Sequence, residues 1–235
     1  MQRHAAEYFA LYGPLVVREF EALGYARERL LAVGSPRFDA YITAAREPAG
    51  AEGTVRVLST VPNVDFSGPY SVEEYFTALK DALAQLSKMR LIITSRNVQK
   101  LPFLHEAMKR GLEETPYEFA GPAPLPGLFA SADIFICGYS TVAYEALMHG
   151  VPTIVVAFTP QELLMVEHSF AEFEKAGAIG VARSPRELRD LVARLDDEGE
   201  RARMGAAGKT FMKEQFSFDG KASERIATWI QKVSE

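Results

Sequence analysis

The sequence predicts an α/β protein: a Rossmann-like, doubly wound parallel sheet followed by a helical C-terminal tail. Three observations carry this. From Thr54 to Ala182 short apolar runs alternate with amphipathic stretches, the βαβ pattern that closes as a parallel sheet. Runs such as Asp133–Cys137 and Val151–Val156 are continuously apolar rather than alternating, as expected of strands covered on both faces. Two helix starts are also spelled out: Thr159-Pro160-Gln161-Glu162 and Ser184-Pro185-Arg186-Glu187 each give a hydroxyl cap, a proline at the first helical position and a glutamate at the third.

Taken in order, His4–Leu23 reads as helical or irregular, Leu30–Val33 as a short strand, Gly34–Asp39 as a turn and Ala44–Gly53 as a linker of small and polar residues. Residues 1–48 therefore stand apart from a domain over 49–235. Within that domain the strands are expected at Thr54–Thr60, Met89–Thr94, Tyr117–Ala120, Asp133–Cys137, Val151–Ala157 and Ile179–Ala182. Helices are expected between them at about Val72–Ser87, Pro102–Glu113, Leu125–Ser131, Thr141–His149 and Pro160–Ala176. The tail continues as helices at about Pro185–Leu195, Glu198–Glu214 and Gly220–Val233; Ile226, Trp229, Ile230 and Val233 form an apolar stripe on the last, read as core.

Composition narrows the function. With 235 residues and 48% hydrophobic content the chain can bury a sizeable core. A net charge of -5, with no Lys/Arg-rich run, argues against a nucleic-acid binder. The single cysteine, Cys137, lies in an apolar run and reads as a buried reduced thiol, which suits a cytoplasmic protein. No transmembrane segment is expected, since no apolar run reaches the roughly 18 residues a span requires, and the N-terminus shows no secretory or lipidation pattern. No dinucleotide or P-loop glycine motif is present, and His4, His105, His149 and His168 are too scattered for a metal site.

The stretch with most chemical content is Ala132–Ala157, ADIFICGYSTVAYEALMHGVPTIVVA. Gly138 turns the chain after a buried strand so that Ser140 and Thr141 fall at a helix start, where backbone N–H groups and the positive end of the helix dipole favour an anion. On a 3.6-residue period Val142, Ala143, Ala146 and Leu147 form the buried face, and Thr141, Glu145 and His149 follow one another along its edge. Glu145, about 6 Å further along the axis than Thr141, is placed to accept hydrogen bonds from a sugar diol. The same residues also admit a plainer reading, in which a hydroxyl caps the helix, Glu145 is a solvated flank and His149 lies on the surface.

The pattern of an apolar strand, S-T-x-x-x-E-A-L-x-x-G-x-P and a second apolar strand resembles the nucleotide-binding, C-terminal half of GT-B fold glycosyltransferases. Similar segments occur in UDP-N-acetylglucosamine 2-epimerases and CDP-glycerol glycerophosphotransferases. The segment Leu31–Asp39, with AVGSPRFD at its core, resembles the end of the N-terminal domain of surface-polysaccharide enzymes of this type. The resemblance implies that Ser140 and Thr141 meet a donor diphosphate, that Glu145 meets the ribose, and that residues 1–48 are the remnant of an N-terminal domain plus its linker. It further implies a donor that is a UDP-sugar or a CDP-linked compound, with no separate cofactor and no metal. An acceptor-binding N-terminal domain or a partner chain would complete the enzyme, which as a whole would meet the membrane peripherally.

Other loops at strand ends are expected to line the same cleft. They are Ser59–Asn63; Ser95-Arg96-Asn97, with Arg96 or Lys100 as a cation beside the phosphates where relatives carry a histidine element that this chain lacks; Phe119–Pro122, including Gly121, where relatives hold the base by backbone contacts; and Thr159–Glu162. The catalytic base is not identifiable. A different reaction class is suggested by Gly138-Tyr139-Ser140-Thr141-Val142, which resembles the nucleophile elbow of α/β-hydrolases with Ser140 as nucleophile. Val142 stands where that motif needs glycine, and His168 is the only later histidine. The sequence thus favours the donor-binding half of a glycosyltransferase in cell-surface glycan synthesis over a non-catalytic nucleotide-sugar-binding subunit, and either over a serine hydrolase.

Overall fold

Each apolar run in the centre of the chain becomes a strand, and the strands pair in an order their sequence positions do not announce. The computed structural model describes residues 6–39, 53–61, 72–95, 101–121 and 124–234. The chain divides into two units, one formed by Met1–Ala44 with Thr210–Glu235, the other by Ala45–Lys209. The linker expected at Ala44–Gly53 lies almost wholly outside the described residues.

In the first unit β1 (Phe9–Leu11) and β2 (Leu30–Ala32) pair in parallel around α1 (Pro14–Ala22). Strand β1 falls within a stretch the sequence leaves helical or irregular. Three residues are too few to show a period, and the pairing comes from Leu11, Val17 and Leu30 closing a small core. After β2 comes α2 (Pro36–Asp39), and Asp39 reaches across to the final helix, α10 (Ala222–Ser234), accepting the N–H groups of Ala222 at 3.0 Å and Ser223 at 2.9 Å. The cap of α10 is thus supplied by a residue far away in sequence. Burial raises the Asp39 pKa, but the hydrogen bonds from Ser223 and Ala222 and the Arg225 charge outweigh it, and the carboxyl is held below its ordinary range. The stripe on α10 is not the core its spacing suggests: Trp229 and Ile226 are half-buried, Trp229 meets Tyr8 edge-on, and Ile230 is 51% exposed.

The second unit holds β3 (Val55–Thr60), β4 (Met89–Thr94), β5 (Tyr117–Gly121), β6 (Ile134–Cys137), β7 (Thr153–Val156) and β8 (Ile179–Ala182). All pairs are parallel and the order is β5-β4-β3-β6-β7-β8, the doubly wound arrangement. On one face Val57, Ile93, Ile136 and Ile154 pack under α3 (Val72–Leu83), α4 (Leu101–Leu112) and α8 (Pro185–Arg194). The alternate residues, such as Phe135 and Val155, are buried toward the other face, where α5 (Leu125–Ser131), α6 (Val142–Met148) and α7 (Pro160–Lys175) lie and Phe129 meets Phe135 edge-to-face. Helix α9 (Glu198–Gln215) begins in this unit and ends in the first. Cys137 is fully buried, and burial pushes its thiol far above the usual range.

Asp133, read from sequence as the first strand residue, precedes β6 and joins it to β3. Its carboxylate accepts the Arg56 N–H at 2.9 Å and the Arg56 guanidinium at 3.0 and 3.2 Å, and its own N–H donates to the Arg56 carbonyl. Both side chains are close to nine-tenths buried.

Two outcomes follow from these anchors. Asp133→Ala removes one partner of a buried ion pair, and urea unfolding is expected to report a loss of about 3 kcal/mol. Asp39→Ala removes a helix cap worth about 1 kcal/mol near neutral pH. Because the folded-state pKa of Asp39 is depressed, that contribution is present above the unfolded value of about 4 and vanishes as pH falls through the lower folded value. Melting curves of parent and variant are therefore expected to converge in acid.

Candidate functional site

In an open α/β sheet a ligand crevice forms where neighbouring strands lead to helices on opposite faces, beyond their carboxyl ends. Here that point lies between β3 and β6, because the chain winds outward from β3 through β4 and β5 and then returns to pair β6 on the other side. Ser59 is level with Ile93 and Ile136, Thr94 with Gly121, and Cys137 with Val155. Ser59, Ser95, Gly121, Gly138 and Thr159 accordingly all stand at one edge of the sheet. Arg96, Asn97, Lys100, Asn63 and Pro122 lie outside the described residues.

The Gly138–Thr141 turn joins β6 to α6. Gly138 is buried, Ser140 half-buried and Thr141 exposed. Ser140 Oγ accepts the Val142 N–H at 3.3 Å, the Ser140 carbonyl accepts from Ala143 at 3.2 Å and the Thr141 carbonyl from Tyr144 at 3.1 Å. Thr141 is the residue before the helix and its side chain makes no cap hydrogen bond, so the simple capping role fits Ser140. One turn on, Glu145 is fully buried and His149 is 5% exposed. Neither is a solvated flank. Oε2 of Glu145 and Nε2 of His149 are both shielded from solvent, and the His149 ring stacks on Phe129 at 5.9 Å. The period placed this stripe at the edge of the buried face, but α5 packs beside α6 and carries that edge inside.

The neighbouring strand ends are partly committed to the fold. Ser59 Oγ lies 3.0 Å from the Tyr75 hydroxyl; burial pushes the Tyr75 phenol up despite that hydrogen bond. Gly121, with φ of 58°, ends β5 in the left-handed region, and its carbonyl accepts both Thr94 Oγ1 at 2.6 Å and Ser95 N–H at 3.3 Å. Thr159 and Glu162 form a full capping box: Thr159 Oγ1 accepts from Glu162 N–H, and Glu162 Oε2 accepts from the N–H groups of Thr159 and Phe158. The hydrolase geometry does not assemble. Among the described residues the Ser140 hydroxyl bonds the Val142 N–H rather than a histidine, and His168 is exposed on α7.

The sequence reading missed the residues that grip the turn. Tyr139 OH lies 3.1 Å from Ser169 Oγ and its ring meets Phe170 edge-on; Tyr144 stacks on Phe173 at 5.4 Å. The helical spacing of Ser169, Phe170 and Phe173 marked one face of α7, but periodicity does not say what that face meets.

The fold is shared with solved structures. Staphylococcus aureus MnaA, solved with UDP, superposes with a TM-score of 0.71 at 16% identity over 96% of this chain and 60% of that one. A UDP-N-acetylglucosamine 2-epimerase from Neisseria meningitidis bound to UDP-N-acetylglucosamine gives 0.69 at 12% identity, covering 97% of this chain and 62% of that one. The wall teichoic acid polymerase TagF gives 0.60 at 16% identity, covering 96% and 57%. The fold is that of a Rossmann-like GT-B half. The chain spans about three-fifths of the length of the structures it matches. No protein-family model and no curated protein matches its sequence. No described helix is long and apolar enough to cross a membrane.

Thr159→Ala tests the capping box at this edge. Losing the box is expected to cost about 1 kcal/mol in a melting or urea experiment.

Proposed function

We propose that this chain is the donor-binding half of a GT-B type glycosyltransferase, taking a nucleotide-activated sugar or polyol phosphate for cell-surface glycan synthesis. One observation carries the reading: at the point where the strand order reverses, the Gly138–Thr141 turn opens α6 beside the crevice with a buried carboxylate, Glu145, one turn behind it. A ribose diol, which brings two donors to an acceptor, is a chemical match.

In this proposal the diphosphate lies against the turn, where the backbone N–H groups and the Thr141 hydroxyl face developing negative charge on the leaving group. The stabilisation comes from preorganised dipoles and needs no metal or other cofactor. Arg96 is proposed to add a cation beside the phosphates. Gly121 is proposed to shape the base end, by turning the chain at its positive φ rather than by its carbonyl, which two internal donors already use. The acceptor and catalytic base are proposed to come from an N-terminal domain or a partner chain, consistent with the fraction of the matched structures that this chain spans. The location proposed is cytoplasmic, with the complete enzyme at a membrane surface. A second reading, a nucleotide-sugar-binding subunit without catalysis of its own, rests on the same crevice and differs only in whether transfer occurs.

A thermal-shift panel of UDP, CDP, CMP, GDP and their sugars identifies the donor, since a ligand at 100 times its Kd stabilises by roughly 2.7 kcal/mol. With the responding nucleotide in hand, Glu145→Gln is expected to weaken affinity by about 1.5–3 kcal/mol, the usual worth of hydrogen bonds to a charged acceptor. Ser140→Ala is expected to weaken it only modestly, because the backbone donors remain. Unchanged affinity in Glu145→Gln sinks the assignment, and ester turnover abolished by Ser140→Ala moves the chain to the hydrolases.

A further inference from the structure

The large sheet ends in a strand whose outer side opens on a recess. Strand β8 is the last in the order β5-β4-β3-β6-β7-β8 and pairs with β7 alone among the described residues. On the β7 side the Ala182 carbonyl accepts the Ala157 N–H. Backbone groups alternate sides along a strand, so the N–H and C=O groups of Ile179 and Val181 point away from β7. Arg183 Nη1 lies on that outer side, 3.5 Å from the Val181 carbonyl. A free edge of this kind is a template for an added strand. Here it is recessed rather than bare: Ile179 and Val181 are 3% and 5% exposed. They line a cavity of about 380 Å³, with Leu191 of α8 and Met204 of α9 supplying its apolar wall.

We propose that, independently of the donor-binding reading, this recess docks an extended peptide segment of a partner protein, which adds to β8 as an antiparallel strand. An antiparallel partner lets Ile179 and Val181 each exchange both backbone bonds with one residue, the stronger of the two ladders. Antiparallel edge strands on otherwise parallel sheets are common. Charge then fixes the partner's chemistry. Helix α8 leaves the carboxyl end of β8 and runs to the amino edge of the sheet, where Asp196 accepts the Ser87 N–H just before β4. Glu187 and Asp190, in its first half, line the recess near the carboxyl end, and Arg194, with Arg203 of α9, lines it at the amino end. Arg194 and Arg203 share one carboxylate outside the lining, Glu200, at 3.3 and 2.6 Å. Glu174, the third acid on the wall, is held by both Arg183 guanidinium nitrogens, at 2.8 and 2.7 Å. Asp190 meets Arg186 only at 3.9 Å, and both are exposed. The lining is thus negative at one end and positive at the other. An antiparallel segment meets the acids first and the arginines last. It therefore carries a lysine or arginine at its leading end and a glutamate or aspartate about four residues later, the span of β8. Between them stand β-branched residues, and its N–H replaces Arg183 Nη1 at the Val181 carbonyl.

The test follows the backbone amides of Ile179 and Val181 by NMR in the full chain. The probes are the capped peptide acetyl-Lys-Val-Thr-Val-Glu-amide and its charge-reversed counterpart acetyl-Glu-Val-Thr-Val-Lys-amide. Two further forms of the first peptide are N-methylated, one at its second and fourth residues and one at its third and fifth. We expect saturable shifts and slowed exchange at both amides with the first peptide, and affinity about tenfold weaker for the reversed one, as for two exposed charge contacts turned repulsive. One methylated form should keep its binding and the other lose it, because alternate amides face β8; this comparison needs no variant of the chain. The exchanged chain, Asp190→Lys with Arg194→Glu, should prefer the reversed peptide. Absence of shifts with every peptide overturns the proposal, as do equal or tighter binding of the reversed peptide to the parent chain, loss by both methylated forms or by neither, and an unaltered preference in the exchanged chain. Saturation of the same shifts by free valine at lower concentration than the peptide makes the recess a small-molecule site and overturns it too.

Discussion

Everything at the candidate site depends on how β6 is joined to β3. Parallel neighbours must be linked by right-handed crossovers, so once the chain has left β3 toward β4 and returns to pair β6 on the other side, the helices after β3 and β6 are forced to opposite faces and their connections diverge. That divergence is the crevice. The Arg56–Asp133 pair fixes this junction at the amino end of the two strands. A parallel ladder slipped by one residue would turn every side chain to the other face, burying the wrong face of β6 and misplacing the Gly138 turn relative to Ser59. A charged pair at the amino edge thus governs alignment at the carboxyl edge, and its worth lies more in specifying register than in net stability.

The second requirement is that α6 fit tightly, and here glycine decides. Gly150 ends α6 with φ of 68°, and its carbonyl would lie 2.3 Å from any Cβ placed on Gly205 of α9. Glycine at 205 therefore lets α9 approach the end of the motif helix at backbone contact. This accounts for the composition of the stretch Met204–Lys209, which shows no clear amphipathic face in the sequence: the helix packs through missing side chains rather than through an apolar stripe.

These particulars show where a single sequence is legible. β6, β7 and β8 were readable because a strand buried on both faces leaves a short, largely apolar run, and α7 and α8 because Thr159 and Ser184 cap them by local rules. That Ser140 and Thr141 precede α6 and that Glu145 lies one turn into it was readable for a related reason, since spacing on a helix is local. What escaped was set by contacts distant in sequence. The strand Phe9–Leu11 exists because of its pairing with β2, the cap of α10 comes from Asp39, and His149 is buried because α5 covers an edge that the helical period alone left open. The stripe on α10 failed in the opposite sense: its spacing was correct, but spacing does not guarantee a partner, and Ile230 remains exposed.

A protein with a net charge of -5 and a buried carboxylate beside its proposed phosphate site raises an electrostatic question. At a separation of about 6 Å along the helix, and with an effective dielectric near 20, Glu145 and a phosphate charge repel by about 3 kcal/mol. The helix terminus returns about 1–2 kcal/mol at a partly buried site, so inorganic phosphate alone is at a disadvantage. Two hydroxyls of a ribose donating to the carboxylate return about 1.5–3 kcal/mol each, enough to reverse the sign. In the proposed arrangement, then, Glu145 does more than hold a sugar. It makes the turn unattractive to a bare anion and attractive to an anion that carries a diol at the right distance, which in a phosphate-rich solution is what a nucleotide-binding site must distinguish.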